Sequence, residues 1–311
     1  MTYSLNKLYA AAGVTKQAVW EHFRREQATL AMIRGLIPRI DERREQHPGE
    51  GLEKLYWQLA PEGIGRDKFC GIFGELGYRV RRPKNPVRTT IPAHKVFANL
   101  IEGRLLAGPC QVWQSDITYI KVGARFYYLT FIIDVYTRRI VGYAVSDNLR
   151  AGANIKALTM ALDAFSADQL SGCVHHSDRG SQYTDGRYLK ILRARHMPIS
   201  MGGRAQDNAF AERVNGVIKN EYLIPRSLTS FRQLKRYSKQ AVSDYNTKRH
   251  HGALGRCSPE DYEQACLQLP ERQRKVEVIR SENTPNWGEG TLQTSTIDTT
   301  TEYPYCFLNL S

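Results

Sequence analysis

Nothing in the 311 residues approaches the ~18 consecutive apolar positions of a membrane span. The opening MTYSLNKLYAAAG also lacks the long apolar core of a secretory leader. Both absences predict a soluble, unprocessed, cytoplasmic protein with no membrane partner. Cysteine is sparse and scattered: Cys70, Cys110, Cys173, Cys257, Cys266 and Cys306 include no C-x-x-C pair. That spacing argues against a zinc knuckle and a disulfide framework, and fits a reducing compartment. There is no internal repeat and no heptad run. Acidic residues are short in number, 31 against 44 basic, leaving a formal charge of +13. Such an excess favours a polyanionic partner, nucleic acid foremost. With 41% hydrophobic residues, the chain can bury at least one substantial core, and its length suggests two or three domains.

Along the chain, SLNKLYAAAGVTKQAVWEHFRREQ predicts two short helices around a tight turn within a segment 1–46. Gly13 can supply a positive φ and Thr15 can cap the second helix. Leu5, Leu8, Val14, Val19, Trp20 and Phe23 would form a small core, leaving Lys16, Gln17, Arg24 and Arg25 facing outward as a recognition helix requires. The polar stretch RIDERREQHPGEG then reads as a linker. A second helix-turn-helix-like segment, 47–108, comprises LEKLYWQLA, a turn, RDKFCGIFGEL, and the Pro-punctuated basic arm GYRVRRPKNPVRTTIP. Arg79, Arg81, Arg82, Lys84 and Arg88 in that arm suit an extended segment tracking phosphates; a solvated linker is the plainer reading.

From about 110 the pattern changes to strands. QVWQSDITYIKV, RFYYLTFIIDVY and RIVGYAVSD predict an antiparallel meander. A helix (NIKALTMALDAF), a buried strand (GCVHHSD), a helix (DGRYLKILRARH), a short strand (PISM), a Gly-rich loop and a further helix follow. That order is ribonuclease-H-like: an α/β core over 109–268, with a mixed five-stranded sheet and flanking helices, preceded by small all-α segments. SFRQLKRYSKQAVSDYNTKRHH closes the core as a long basic helix. Residues 269–311, rich in Ser, Thr, Asn and Gly, read as a disordered tail.

Three acids stand in settings suited to hold two divalent metal ions against a DNA phosphodiester. Asp116 lies on the first predicted strand, sharing a face with Gln114 and Thr118. Asp178 ends a buried strand, a favoured ligand position in α/β sheets. Glu212 begins a helix capped by Asp207 or Asn208, with Asn215, Gly216 and Lys219 on its face. Oxygen ligands suit Mg²⁺ or Mn²⁺, and a metal pair can activate an attacking oxygen while stabilising a leaving one. Each residue also has a plain reading as a turn edge, a cap or an exposed charge. Asp134, Asp147, Asp163, Asp185 and Asp207 compete, and periodicity does not exclude Asp134. His175 and His176 are adjacent on a strand, so they point to opposite faces and do not share one ion easily; they read as core or surface histidines.

WQSDITYI, DVYTRRIVGY, HHSDRGSQYT, ISMGGRAQDNAFAERVNGVIKNEY and YNTKRHHGALGRCSPEDYE occur in the order found in bacterial insertion-sequence transposases of the two-reading-frame type. The chain resembles their second-frame product, which carries a retroviral-integrase-like core. The resemblance is specific from about 110 to 264 and looser before that. It implies an Asp-Asp-Glu triad at Asp116, Asp178 and Glu212, a basic residue at Lys219, and two Mg²⁺ or Mn²⁺ ions. It also implies double-stranded DNA partners (element ends and target), a homo-oligomer on DNA, and a first-frame partner or fusion. The Asp178–Glu212 interval, with 33 intervening residues, is slightly shorter than the family's usual one. The shortening falls in GGRAQ, which puts that loop's contacts in doubt. Two other readings, a DNA-binding regulator with an inactive integrase-like domain and a ribonuclease-H-like nuclease, fit less well. The intact triad opposes the first, and the N-terminal helices and basic helix oppose the second.

Overall fold

Gly13, at φ 66°, turns the chain between α1 (Leu5–Ala11) and α2 (Lys16–Gln46). Thr15 caps α2 by accepting from the Ala18 N–H at 3.0 Å. The computed structural model describes residues 4–80 and 96–279, in two units that divide between Val80 and Arg81.

In the first unit, α2 is continuous for 31 residues, so the expected linker at 39–46 is helix. Ile40 within it is fully buried with Leu36 against α3 (Leu52–Leu59) and α4 (Arg66–Phe73). Glu50, also fully buried, accepts from Arg43 Nε at 2.8 Å. The polar appearance of RIDERREQHPGEG is thus partly that of an internal ion pair. The expected first core does not form. Leu5, Leu8, Val14, Trp20 and Phe23 are exposed, because α2 runs on instead of folding back over them. The two predicted helical segments therefore share one core, and it lies at the C-terminal half of α2.

The second unit is built on a five-stranded sheet. β1 (Leu105–Leu106) lies apart from it. β2 (Val112–Val122), β3 (Arg125–Asp134) and β4 (Ile140–Ser146) form the predicted meander, and β5 (Val174–Ser177) and β6 (Ile199–Met201) extend it. The order is β4-β3-β2-β5-β6, with β2–β3 and β3–β4 antiparallel, β2–β5 and β5–β6 parallel. That is the ribonuclease-H-like arrangement.

Alternation along β3 feeds two layers. Ile132 points to one, packing with Leu158 and Leu162 of α5 (Ala151–Asp163) and Leu192 of α6 (Gly186–Ala194). Phe131 and Ile133 point to the other, with Ala211 and Val214 of α7 (Ala209–Val217) and Leu234 and Tyr245 of α8 (Phe231–Thr247). Gly142 permits the close seat of α5: a Cβ there would strike the Ala157 carbonyl oxygen and stand 3.0 Å from the Ala161 Cβ.

After α9 (Pro259–Gln268), the chain does not become a tail at 269. β7 (Glu277–Val278) pairs antiparallel with β1, and Ile279 enters a buried cluster with Ile101, Leu106 and Tyr136. Tyr136 donates to the Lys275 carbonyl at 2.8 Å and Arg138 pairs with Glu277 at 2.7 Å. The stretch reads as tail because it is short of apolar residues; what orders it is a two-residue ladder and two long-range polar contacts. The remainder of the expected tail, from 280, lies outside the described residues.

Candidate active site

Parallel pairing sets the first two acids. Ser115 and Ser177 are register partners on β2 and β5, so Asp116 and Asp178 are the next residues along neighbouring strands. Their backbones stand about one strand spacing apart, ~4.8 Å, with side chains on one face. That face is covered by α7, whose first turn carries Glu212.

Three polar residues fasten α7 to β2. Gln114, buried on the Asp116 face, donates to the Asp207 carbonyl at 3.0 Å and accepts from the Ala211 N–H at 3.2 Å. Asn208 donates to the Ser115 carbonyl at 3.0 Å. Asn215, one turn after Glu212, donates to Asp116 Oδ2 at 2.7 Å. Neither expected cap bonds to α7 itself. Asp207 turns back to accept from the N–H groups of Gly203 (2.8 Å) and Arg204 (3.0 Å), tightening the shortened loop, and Asn208 spends its side chain on β2. Sequence reasoning placed Gln114 on the Asp116 face and offered Asn208 as a cap, but missed that both tie β2 to the Glu212 helix. The signal for Gln114 was its place two residues before Asp116 in a strand.

The three acids feel one another. Burial, then Asp178, then Glu212 push the Asp116 carboxyl up to about 8, against hydrogen bonds that lower it. Burial and then Asp178 raise Glu212 as well. Lys219 places its ammonium 4.3 Å from the Tyr119 ring centroid, and burial lowers its pKa.

An all-carboxylate oxygen set suits a hard divalent cation, and positive charge would relieve the crowding that raises Asp116. Among the described residues, no three His, Cys, Asp or Glu side chains stand close enough to enclose one ion.

The competing carboxylates have structural work. Asp134, almost fully buried, accepts from the N–H groups of Cys110 (2.6 Å) and Thr137 (2.8 Å) and from the Thr137 hydroxyl (3.1 Å), closing the β3–β4 turn. Asp185 caps α6, accepting from Arg187 N–H at 2.9 Å, and Asp147 accepts from Asn148 on the surface. Asp163 is the last residue of α5.

His175 and His176 are core residues. His175 Nε2 lies 2.8 Å from the Tyr188 hydroxyl and His176 Nδ1 2.8 Å from the Ser200 hydroxyl. Burial pushes them down to about 3 and about 4.

The expected DNA-contacting residues Lys16, Arg24, Arg25 and Arg79 belong to the first unit, and all four are exposed. Arg24 stacks on Trp20, and Arg25 pairs with Glu21 at 3.5 Å. Arg81, Arg82, Lys84 and Arg88 lie outside the described residues. No helix among those described is long and apolar enough to cross a membrane.

Residues 107–206 and 196–259 each match the Integrase core domain family. The transposase for insertion sequence element IS629 of Shigella sonnei is 34% identical over 227 residues, 71% of this chain and 76% of that one. The putative transposase for insertion sequence element IS986/IS6110 of Mycobacterium tuberculosis is 31% identical over 226 residues, 69% and 81% respectively. Among solved structures, the magnesium-bound catalytic core domain of HTLV-2 integrase is similar over 53% of this chain and 99% of its own. The identity is 17% and the TM-score 0.40.

Proposed function

The chain belongs to the insertion-sequence transposases built on an integrase core domain, and we propose that Asp116, Asp178 and Glu212 are its catalytic acids. In this reading the protein cleaves one strand at each element end and directs the freed 3′-hydroxyl at target DNA. Both steps are in-line displacements at phosphorus, so one site serves both. The observation that carries this is the convergence of the three acids where β2, β5 and α7 meet, with α7 bonded to Asp116 through Asn215.

Two Mg²⁺ or Mn²⁺ ions held by these carboxylates would supply activation of the attacking oxygen and charge stabilisation of the leaving one. The chain's own contribution is position. Parallel register fixes Asp116 beside Asp178, Gln114 and Asn208 fix the start of the Glu212 helix, and Asn215 holds one oxygen of Asp116. Lys219, two helical turns after Glu212, places a cation where an incoming phosphate would pass. Lys16, Arg24, Arg25 and Arg79, with Arg81, Arg82, Lys84 and Arg88 beyond the described residues, would add backbone contacts to double-stranded DNA. The active species is a homo-oligomer on DNA, joined by a first-frame product or fusion.

The test is metal-dependent cleavage and joining of DNA carrying the element's own ends. Wild type should act with Mn²⁺ or Mg²⁺. Asp116→Asn and Glu212→Gln should each lose at least a hundredfold in rate while still binding DNA. Cleavage surviving in Asp116→Asn would overturn the assignment.

A further inference from the structure

Helix α8 keeps its apolar residues on one face and its cations on the other. Leu234, Ala241, Val242 and Tyr245 are buried in the layer that also holds Ala211, Val214 and Ile218. The outward face carries Arg232, Lys235, Arg236 and Lys239, all exposed. Spacings of three and four place these cations in one stripe, with four like-charge neighbour pairs. The only acid on the helix, Asp244, is buried. None of the four is ion-paired among the described residues. A merely solvated helix face commonly alternates signs, and each like-charge pair costs about 0.2–0.5 kcal/mol. Among the described residues, no ion pair offsets that cost.

Aromatic rings fix the stripe's edge. The Arg226 and Arg236 guanidinium groups stand 4.5 and 4.6 Å from the Tyr237 ring centroid, and Arg236 also donates to the Tyr237 hydroxyl at 2.8 Å. Lys235 sits 4.3 Å from the Phe231 ring, which in turn stacks on Tyr127 at 4.8 Å and 12°. Two of the four cations are thereby held against rings, so less side-chain entropy is lost when a ligand arrives.

We propose that Arg232, Lys235, Arg236 and Lys239 form a binding surface for the phosphate backbone of duplex DNA, separate from the three acids. The proposal rests on the transposase reading and adds a second contact to it. The seven helical steps from Arg232 to Lys239 cover about 10.5 Å, which meets about three phosphates of one strand at 3.4 Å of axial rise each. The ligand chemistry is a regular polyanion; its source is either element-end or target DNA.

The experiment measures the affinity of the full chain for two duplexes across a salt series, one carrying the element end and one of unrelated sequence. The stripe variant is Arg232→Gln with Lys235→Gln and Lys239→Gln. The control removes the same charge from exposed positions on α5 and α6, as Lys156→Gln, Lys190→Gln and Arg193→Gln. The stripe variant should flatten the dependence of log K on log salt by about 2 to 3, one step per phosphate contact. The control should change it by less than 1. Flattening with the end duplex alone assigns the stripe to element ends; with unrelated DNA alone, to target; with both, to any backbone. Equal slopes in stripe and control variants would overturn the proposal. If wild type still cleaves in that case, the transposase reading stands without it. Absence of wild-type binding to either duplex in the presence of the first-frame product would overturn both.

Discussion

Asp116 shows how much of a site's chemistry resides in one residue's surroundings. A carboxylate on a β-branched strand is costly to bury alone; here Asn215 satisfies one oxygen while two other acids crowd the group. On β5, burial and then His176 push His175 down to about 3 from an ordinary 6.5. Because the folded pKa is the lower one, the unfolded chain takes up the proton first. The stability contributed by neutral His175 is therefore complete above about pH 6.5 and is lost as pH falls from there toward 3. At pH 5 the loss from this one residue is about 2 kcal/mol. Urea unfolding at pH 7 and pH 5 should show it in wild type and not in His175→Gln, and the His175 ring should remain neutral by NMR at pH 5. At this scale the sequence was informative where chemistry is local. Alternation placed Gln114 and Asp116 on one face, and adjacency separated His175 from His176. Which of seven aspartates to propose was not local: Asp134 is set apart only by the Cys110 and Thr137 bonds that close its turn.

Elements were legible where period and burial agree. The three strands of the meander and the helices carrying Glu212 and the basic stripe lie where their patterns predict them. The first unit was misread for the opposite reason. α2 has apolar residues along most of its length, and nothing local says that Leu36 and Ile40 are buried while Trp20 and Phe23 are exposed. Capping of the Glu212 helix was likewise hidden, since Asp207 and Asn208 bond across loop and sheet instead of to the helix they precede. The union of β2 with α7 makes a prediction of its own. Gln114→Ala removes a donor from the half-buried Asp207 carbonyl and an acceptor from the buried Ala211 N–H, which should cost about 1–3 kcal/mol for each group left unsatisfied. The helix bearing Glu212 would then be less firmly held. Turnover should fall at least tenfold with DNA affinity nearly unchanged, and equal loss of both in steady-state kinetics would count against a positioning role.

At the scale of the molecule, the catalytic unit closes later than its composition suggests. Ile279 is buried, and the residues before it pair with β1 and bond to Tyr136 and Arg138. Burying one isoleucine contributes about 1.5–3 kcal/mol, with two long-range polar contacts in addition. A chain ending after 269 should therefore melt several degrees below one ending after 279, at about 2–4 °C per kcal/mol for a unit of this size. Calorimetry of the two would decide it, and coincident melting would return 270–279 to the tail.

The same ribbon bears on the order of events during synthesis. Leu105 and Val278 stand 173 positions apart, and contacts of such long separation form late because their loop must close first. Translation delivers Asp116, Asp178 and Glu212 well before Glu277 and Val278 exist. A growing chain on the ribosome thus carries all three proposed acids before it has a finished core, and completion of the fold trails synthesis of the proposed site.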